Sequence, residues 1–138
     1  MLGLLVADKD VEARRQMADL LIEGGYDVTV TNSAAKAIQG VLNKSAQVLL
    51  LGNELDEFTS ADLVPLLKKC NRNVLIILVA DDTPLPAMRK MRKEGIFYHA
   101  LRPDKPEGEE EIRQAVKCAL KSLARIPDES MAPGSLGA

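Results

Sequence analysis

The chain has 138 residues, is 46% hydrophobic and 28% charged, and carries a formal net charge of -2. That length suits one domain able to bury a core without staples, and the near-balanced charge gives no reason to expect nucleic acid or an anionic membrane surface as a partner. No apolar run approaches the roughly 18–20 residues that cross a bilayer; Met1 to Asp8 has no basic leader, so the expectation is a cytoplasmic protein without a signal peptide.

Five apolar runs alternate with five helical patterns. Leu4 to Ala7 reads as a strand. Ala13, Met17, Leu20 and Leu21 share a helical face that Gly24-Gly25 should stop. Asp27 to Thr31 alternates, as an edge strand does. Ser33 is placed to cap a helix carrying Ala34, Ala37, Ile38 and Val41. Val48 to Leu51 is continuously apolar, which suits a parallel strand covered on both faces. Leu63, Leu66, Leu67 and Cys70 form the next stripe, with Asp62 as the expected cap so that Pro65 falls in the first turn.

The run Val74 to Val79 is another buried strand. Thr83-Pro84 reads as a cap followed by proline at the first helical position, opening a helix with Met88 and Met91 inside. Ile96 to Leu101 is the opposite edge strand. Ile112, Ala115, Val116, Ala119, Leu120 and Leu123 give the fifth helix. From Ile126 the composition turns to Pro, Gly, Ser and Ala, so residues 1–125 are expected to form one domain and 126–138 a disordered tail. Cys70 and Cys118, far apart on helical apolar positions, are expected as reduced core thiols. His99, the one histidine, cannot build a metal site alone.

Strand–helix alternation five times over predicts an α/β, doubly wound, parallel sheet of five strands. Functional groups in such sheets gather beyond the carboxyl ends of the strands. The first of these turns is Ala7-Asp8-Lys9-Asp10. Carboxylates there repel phosphate, whereas a nucleotide or flavin site wants a glycine-rich or hydroxyl-rich turn. A cation site suits these residues better.

From Leu2 to Leu123 the chain resembles the receiver domain of bacterial response regulators. The resemblance rests on Leu4-Leu-Val-Ala-Asp-Lys-Asp10, on Ala46-Gln-Val-Leu-Leu-Leu-Gly-Asn-Glu-Leu-Asp56, on Val74 to Ala80, and on Gly95 to Leu101 followed by Arg102-Pro103. It implies a flavodoxin/CheY-like sheet in strand order 2-1-3-4-5. It also implies a set of functional positions, and most of them are altered. Asp8 matches the first of two metal-holding acids, but Lys9 stands at the second, with Asp10 one residue late. The phosphoacceptor aspartate falls on Gly52, the switch hydroxyl on Val79, the lysine on Arg102 and the aromatic switch residue on His99. An acyl phosphate needs a carboxylate nucleophile, which Gly52 lacks; Mg²⁺ wants carboxylate oxygens, and this set is depleted.

The expectation is therefore a phosphorylation-independent pseudo-receiver that is not an enzyme, takes no cofactor or metal, and acts by protein contacts. Asp8 is expected to pair with Arg102 or Lys9 in the degenerate pocket of Asp8, Lys9, Gly52, Glu54, Val79 and Arg102. Two alternatives stand beside it: a conventional phosphorelay receiver using a displaced acid, Glu54 or Asp56, or a small-molecule sensor using the vacated pocket. The resemblance makes the fourth helix, fifth strand and fifth helix the interaction face. Arg89, Lys90, Arg92 and Lys93 put four cations on that fourth helix, and Asp104, Glu107, Glu109, Glu110 and Glu111 put five acids around the start of the fifth. Tyr98 and His99 would form the less charged centre. The expected partner is a signalling protein or a second copy. Membrane is not expected, and no recognition motif favours nucleic acid.

Overall fold

A computed structural model describes residues 3–81 and 83–125. The chain runs β1 (Leu4–Ala7), α1 (Val11–Glu23), β2 (Val28–Thr31), α2 (Ala34–Leu42), β3 (Val48–Leu51), β4 (Glu54–Leu55), β5 (Phe58–Thr59), α3 (Ser60–Cys70), β6 (Leu75–Val79), α4 (Leu85–Glu94), β7 (Tyr98–Ala100) and α5 (Pro106–Arg125). The main sheet is parallel, in the order β2-β1-β3-β6-β7. With the small β4–β5 hairpin set aside, this is the expected 2-1-3-4-5 order. The expected tail at 126–138 lies outside the described residues.

The central strands are apolar throughout because both faces are covered. Leu5, Leu49, Leu51, Ile76 and Leu78 pack against α2, α3 and α4 through Val41, Leu67 and Met91. Leu4, Val6, Val48, Leu50 and Ile77 pack on the other face against α1 and α5 through Met17, Leu21, Ile112 and Val116. The period-2 geometry of a strand divides one apolar run between two cores. Among the described residues no helix is long and apolar enough to cross a membrane.

Four local expectations are corrected. Thr59, not Asp62, caps α3, and the two form a reciprocal capping box. The helix therefore starts three residues early and Pro65 sits in its second turn. Thr83 does not cap α4; the cap is Pro84, which makes no side-chain bond. Leu66 points to solvent. Cys118 is exposed rather than a core thiol, while Cys70 is half-buried. The β4–β5 hairpin was not foreseen. Its turn holds Asp56 at a left-handed φ of 55°, and the Asp56 carboxylate accepts the Ala34 N–H at 2.6 Å, tying the hairpin to the start of α2.

Candidate functional site

The parallel register brings Ala7 beside Leu51, so the residues that follow, Asp8 and Gly52, are neighbours at the carboxyl edge. The Gly52 N–H donates to the Ala7 carbonyl at 2.9 Å. A Cβ built on Gly52 would land on the Asp8 carboxylate. The absent side chain has therefore left no hole: Asp8 leans into that space and is 6% exposed. Its Oδ1 accepts the Asp10 N–H at 2.9 Å, and its own carbonyl accepts from Arg14 Nη1 at 2.8 Å. Burial pushes the Asp8 carboxyl above the usual carboxylate range. The Asp10 N–H and the charges of Arg102 and Arg14 oppose that rise only in part, and the Asp10 charge adds to it.

Asp10 does two jobs. Its carboxylate caps α1 through the N–H groups of Glu12 and Ala13, and it meets Arg102 Nη2 at 3.4 Å. The Ala13 and Glu12 N–H groups first, then Arg102 and Arg14, hold its carboxyl below the usual range. This corrects the expected pairing. Among the described residues the salt bridge of Arg102 goes to Asp10, not Asp8. Lys9 is exposed, its backbone N–H bonded to the Glu54 carbonyl at 2.9 Å. The Glu54 side chain is exposed, and Val79 is buried in the core.

Arg102 stands where the clefts of this edge meet. One, of about 380 Å³, includes Asp8, Lys9, Asn53 and Glu54 in its walls. The backbone N–H of Arg102 donates to Asp81 Oδ1 at 3.0 Å. Its Nε is buried without a partner. Arg14 was missed from sequence. Arg14, one helical turn after Asp10, carried the only available signal.

The divalent cation implied by the receiver resemblance does not fit these residues. One Asp8 oxygen is taken by a backbone N–H, Asp10 is committed to a cap and to Arg102, and Gly52 offers no carboxylate. Among the described residues, no group of three or more His, Cys, Asp and Glu comes together to hold a metal.

On the lateral face, Arg89, Lys90, Arg92 and Lys93 are exposed on α4. Tyr98 is 39% exposed, and its hydroxyl donates to Glu111 Oε2 at 2.8 Å. That bond raises the Tyr98 pKa above its usual range. His99 points to the other side of β7, half-buried, with Nε2 2.9 Å from the Ala80 carbonyl. Leu85, at the start of α4, is also exposed, at 61%.

No protein-family model matches the chain. Over 136 residues, 98% of the chain, it is 27% identical to the "DNA-binding transcriptional regulator NtrC" of Bradyrhizobium sp. (strain RP501 Parasponia), of which the match covers 27%. The NtrC of Rhizobium meliloti (strain 1021) is 22% identical over 100 residues, 72% of the chain and 21% of that protein. The chain spans about a quarter of the length of these curated relatives. Among solved structures it superposes on a response regulator receiver domain protein from Clostridium thermocellum with a TM-score of 0.78 at 17% identity, covering 90% of this chain and 98% of that one. The receiver domain of NtrX from Brucella abortus gives 0.75 at 16% identity, covering 86% and 98%. Sheet order, site position and these similarities agree: the chain has the CheY-like receiver-domain fold of two-component response regulators.

Proposed function

We propose that this chain is a phosphorylation-independent receiver, a cytoplasmic signalling module that works by binding protein rather than by accepting a phosphoryl group. One observation carries the reading. The acceptor position is Gly52, and the space a side chain would need is filled by the Asp8 carboxylate. Val79 supplies no hydroxyl, and the cation site does not fit. The displaced acids give no support to phosphotransfer: Asp56 is engaged by the Ala34 N–H at the start of α2, and Glu54 points to solvent. The Arg102–Asp10 contact links the start of α1 to the segment after β7.

The partner face is that of α4, β7 and α5. Arg89 and Arg92 supply its positive charges on α4, Glu107 and Glu111 its negative charges on α5, and Tyr98 its less charged centre. Opposite charges across one face also suit a second copy related by a twofold axis. The test is incubation with acetyl phosphate and Mg²⁺, read by intact mass. The expected result is no gain of a phosphoryl group. A stoichiometric phosphoryl adduct mapped to Glu54, Asp56 or Asp8 would overturn the reading.

A further inference from the structure

With the space at Gly52 filled by Asp8, the larger open volume lies across Arg102, toward β6. A cleft of about 590 Å³ runs there between the first turns of α3 and α4, and its walls include Glu54, Ser60, Asp81, Thr83 and Arg102. That volume falls within the range of small-molecule sites.

Three features mark it as more than a surface groove. Ser60 is 4% exposed, and its hydroxyl takes part in no side-chain hydrogen bond among the described residues. Thr83 Oγ1 and Arg102 Nε are buried without partners, and they are two of three such atoms among the described residues. Buried polar groups in native proteins are nearly always paired, so two orphans on one cleft call for an explanation. Finally, α4 opens on the cleft through Pro84 and Ala87, with no side-chain cap. Its dipole favours an anionic oxygen there.

We propose that this cleft binds a small zwitterion of the free α-amino acid class. The unpartnered groups, the Nε–H of Arg102 and the hydroxyl of Thr83, are donors, and Ser60 adds a third hydroxyl to the same walls. They call for a carboxylate. Glu54 and Asp81 stand in the same walls and outnumber Arg102, so they repel a bare dianion and accept an ammonium group. A ligand carrying both charges satisfies both sets. This site adds to the protein-binding reading and does not depend on it, because a ligand wedged between α3 and α4 can act whether or not the acceptor position is lost.

The experiment is thermal unfolding and calorimetric titration of the full chain with each common free L-amino acid and glycine. Acetate, methylammonium and inorganic phosphate serve as separated-charge controls. At least one amino acid is expected to raise Tm and bind saturably at one site, while the controls do not. Thr83→Val, nearly isosteric, and Ser60→Ala should each weaken Kd about tenfold, since each removes a bond to a charged group. The proposal is overturned if no amino acid shifts Tm, if phosphate shifts it as much, or if binding survives both variants unchanged.

Discussion

The carboxyl edge of the sheet has two sides that meet different fates. Between β1 and β3 the space beside Gly52 is filled: Asp8 leans over, its carboxylate is nearly dry, and one oxygen is held by a backbone N–H. Between β6 and α4 the wall stays open, with polar atoms of Thr83 and Arg102 left unpartnered. A missing functional group need not leave a cavity where it stood. A neighbour one strand away, brought alongside by register, takes the volume, and the remaining free space appears where no side chain can reach. On this molecule the filled space beside Gly52 and the open cleft of Ser60 and Thr83 lie on different sides of Arg102.

The most direct way to break that comparison is to return a side chain to position 52. In Gly52→Ala the new Cβ meets Asp8 Oδ1 at 2.7 Å and the rest of the carboxylate closer still. Asp8 must then swing away and give up the Asp10 N–H. Overpacking of this kind costs about 1–3 kcal/mol. Denaturant unfolding should show that loss in Gly52→Ala, and little further loss when the same change is made in Asp8→Ala. If Gly52→Ala is as destabilising without the Asp8 carboxylate as with it, the closed side is not packed as described.

A second, smaller effect sharpens the role of the hairpin that frames both sides. Asp56 reaches from a left-handed turn to the first N–H of α2, so Asp56→Ala removes that acceptor and leaves strained backbone. The expected cost is about 1 kcal/mol. Asp56→Asn keeps the acceptor and tolerates the left-handed conformation, and should recover most of it.

These two cases show what was legible in the sequence. The long strands were, because continuous apolar runs such as Val48–Leu51 have one use in a sheet covered on both faces. The place of Gly52 at the carboxyl edge was too, since it follows directly from its strand. The hairpin was not: two-residue strands with Glu54, Phe58 and Thr59 carry no periodic signal. Nor was the partner of Arg102. Asp8 and Asp10 are two residues apart, and the choice between them turns on whether Asp8 is free to lean toward Gly52, a question of volume rather than of pattern. The capping by Thr83 failed for a related reason. With Pro84 and Pro86 in the first turn, few N–H groups remain to be capped.

The pH dependence of Asp8 gives a smaller test of the closed side. Its folded pKa is raised by burial, so the ionised form is the less stable one in the folded chain. Below about pH 4, the ordinary aspartate value, Asp8 is protonated in folded and unfolded chains alike. As pH rises through that value the unfolded chain loses the proton first, and the folded state loses stability until its own raised pKa is passed. Asp8→Asn can keep the acceptor for the Asp10 N–H and removes the charge. It should therefore be more stable than wild type at neutral pH, with the gain shrinking toward zero below pH 4. A gain that is the same at both ends of this range would mean that Asp8 is not desolvated.

The smallest expected effect belongs to the Arg102–Asp10 contact, and it decides what holds the two sides together. At 3.4 Å, with both side chains partly exposed, the pair is a surface ion pair, a class whose coupling is small and falls with salt. Asp10 also caps α1, so Asp10→Ala would mix two losses. Asp10→Asn keeps the cap and removes only the charge, and Arg102→Lys keeps the charge while giving up the planar fork. In a double-mutant cycle on Asp10→Asn and Arg102→Met, the coupling should be weak in low salt and vanish in high salt. The same cycle run with Asp8→Asn should give less coupling still, because Asp8 makes no contact with the guanidinium. A larger coupling to Asp8 than to Asp10 would reverse the assignment and return the buried carboxylate to Arg102, with the Gly52 space then free for a guest.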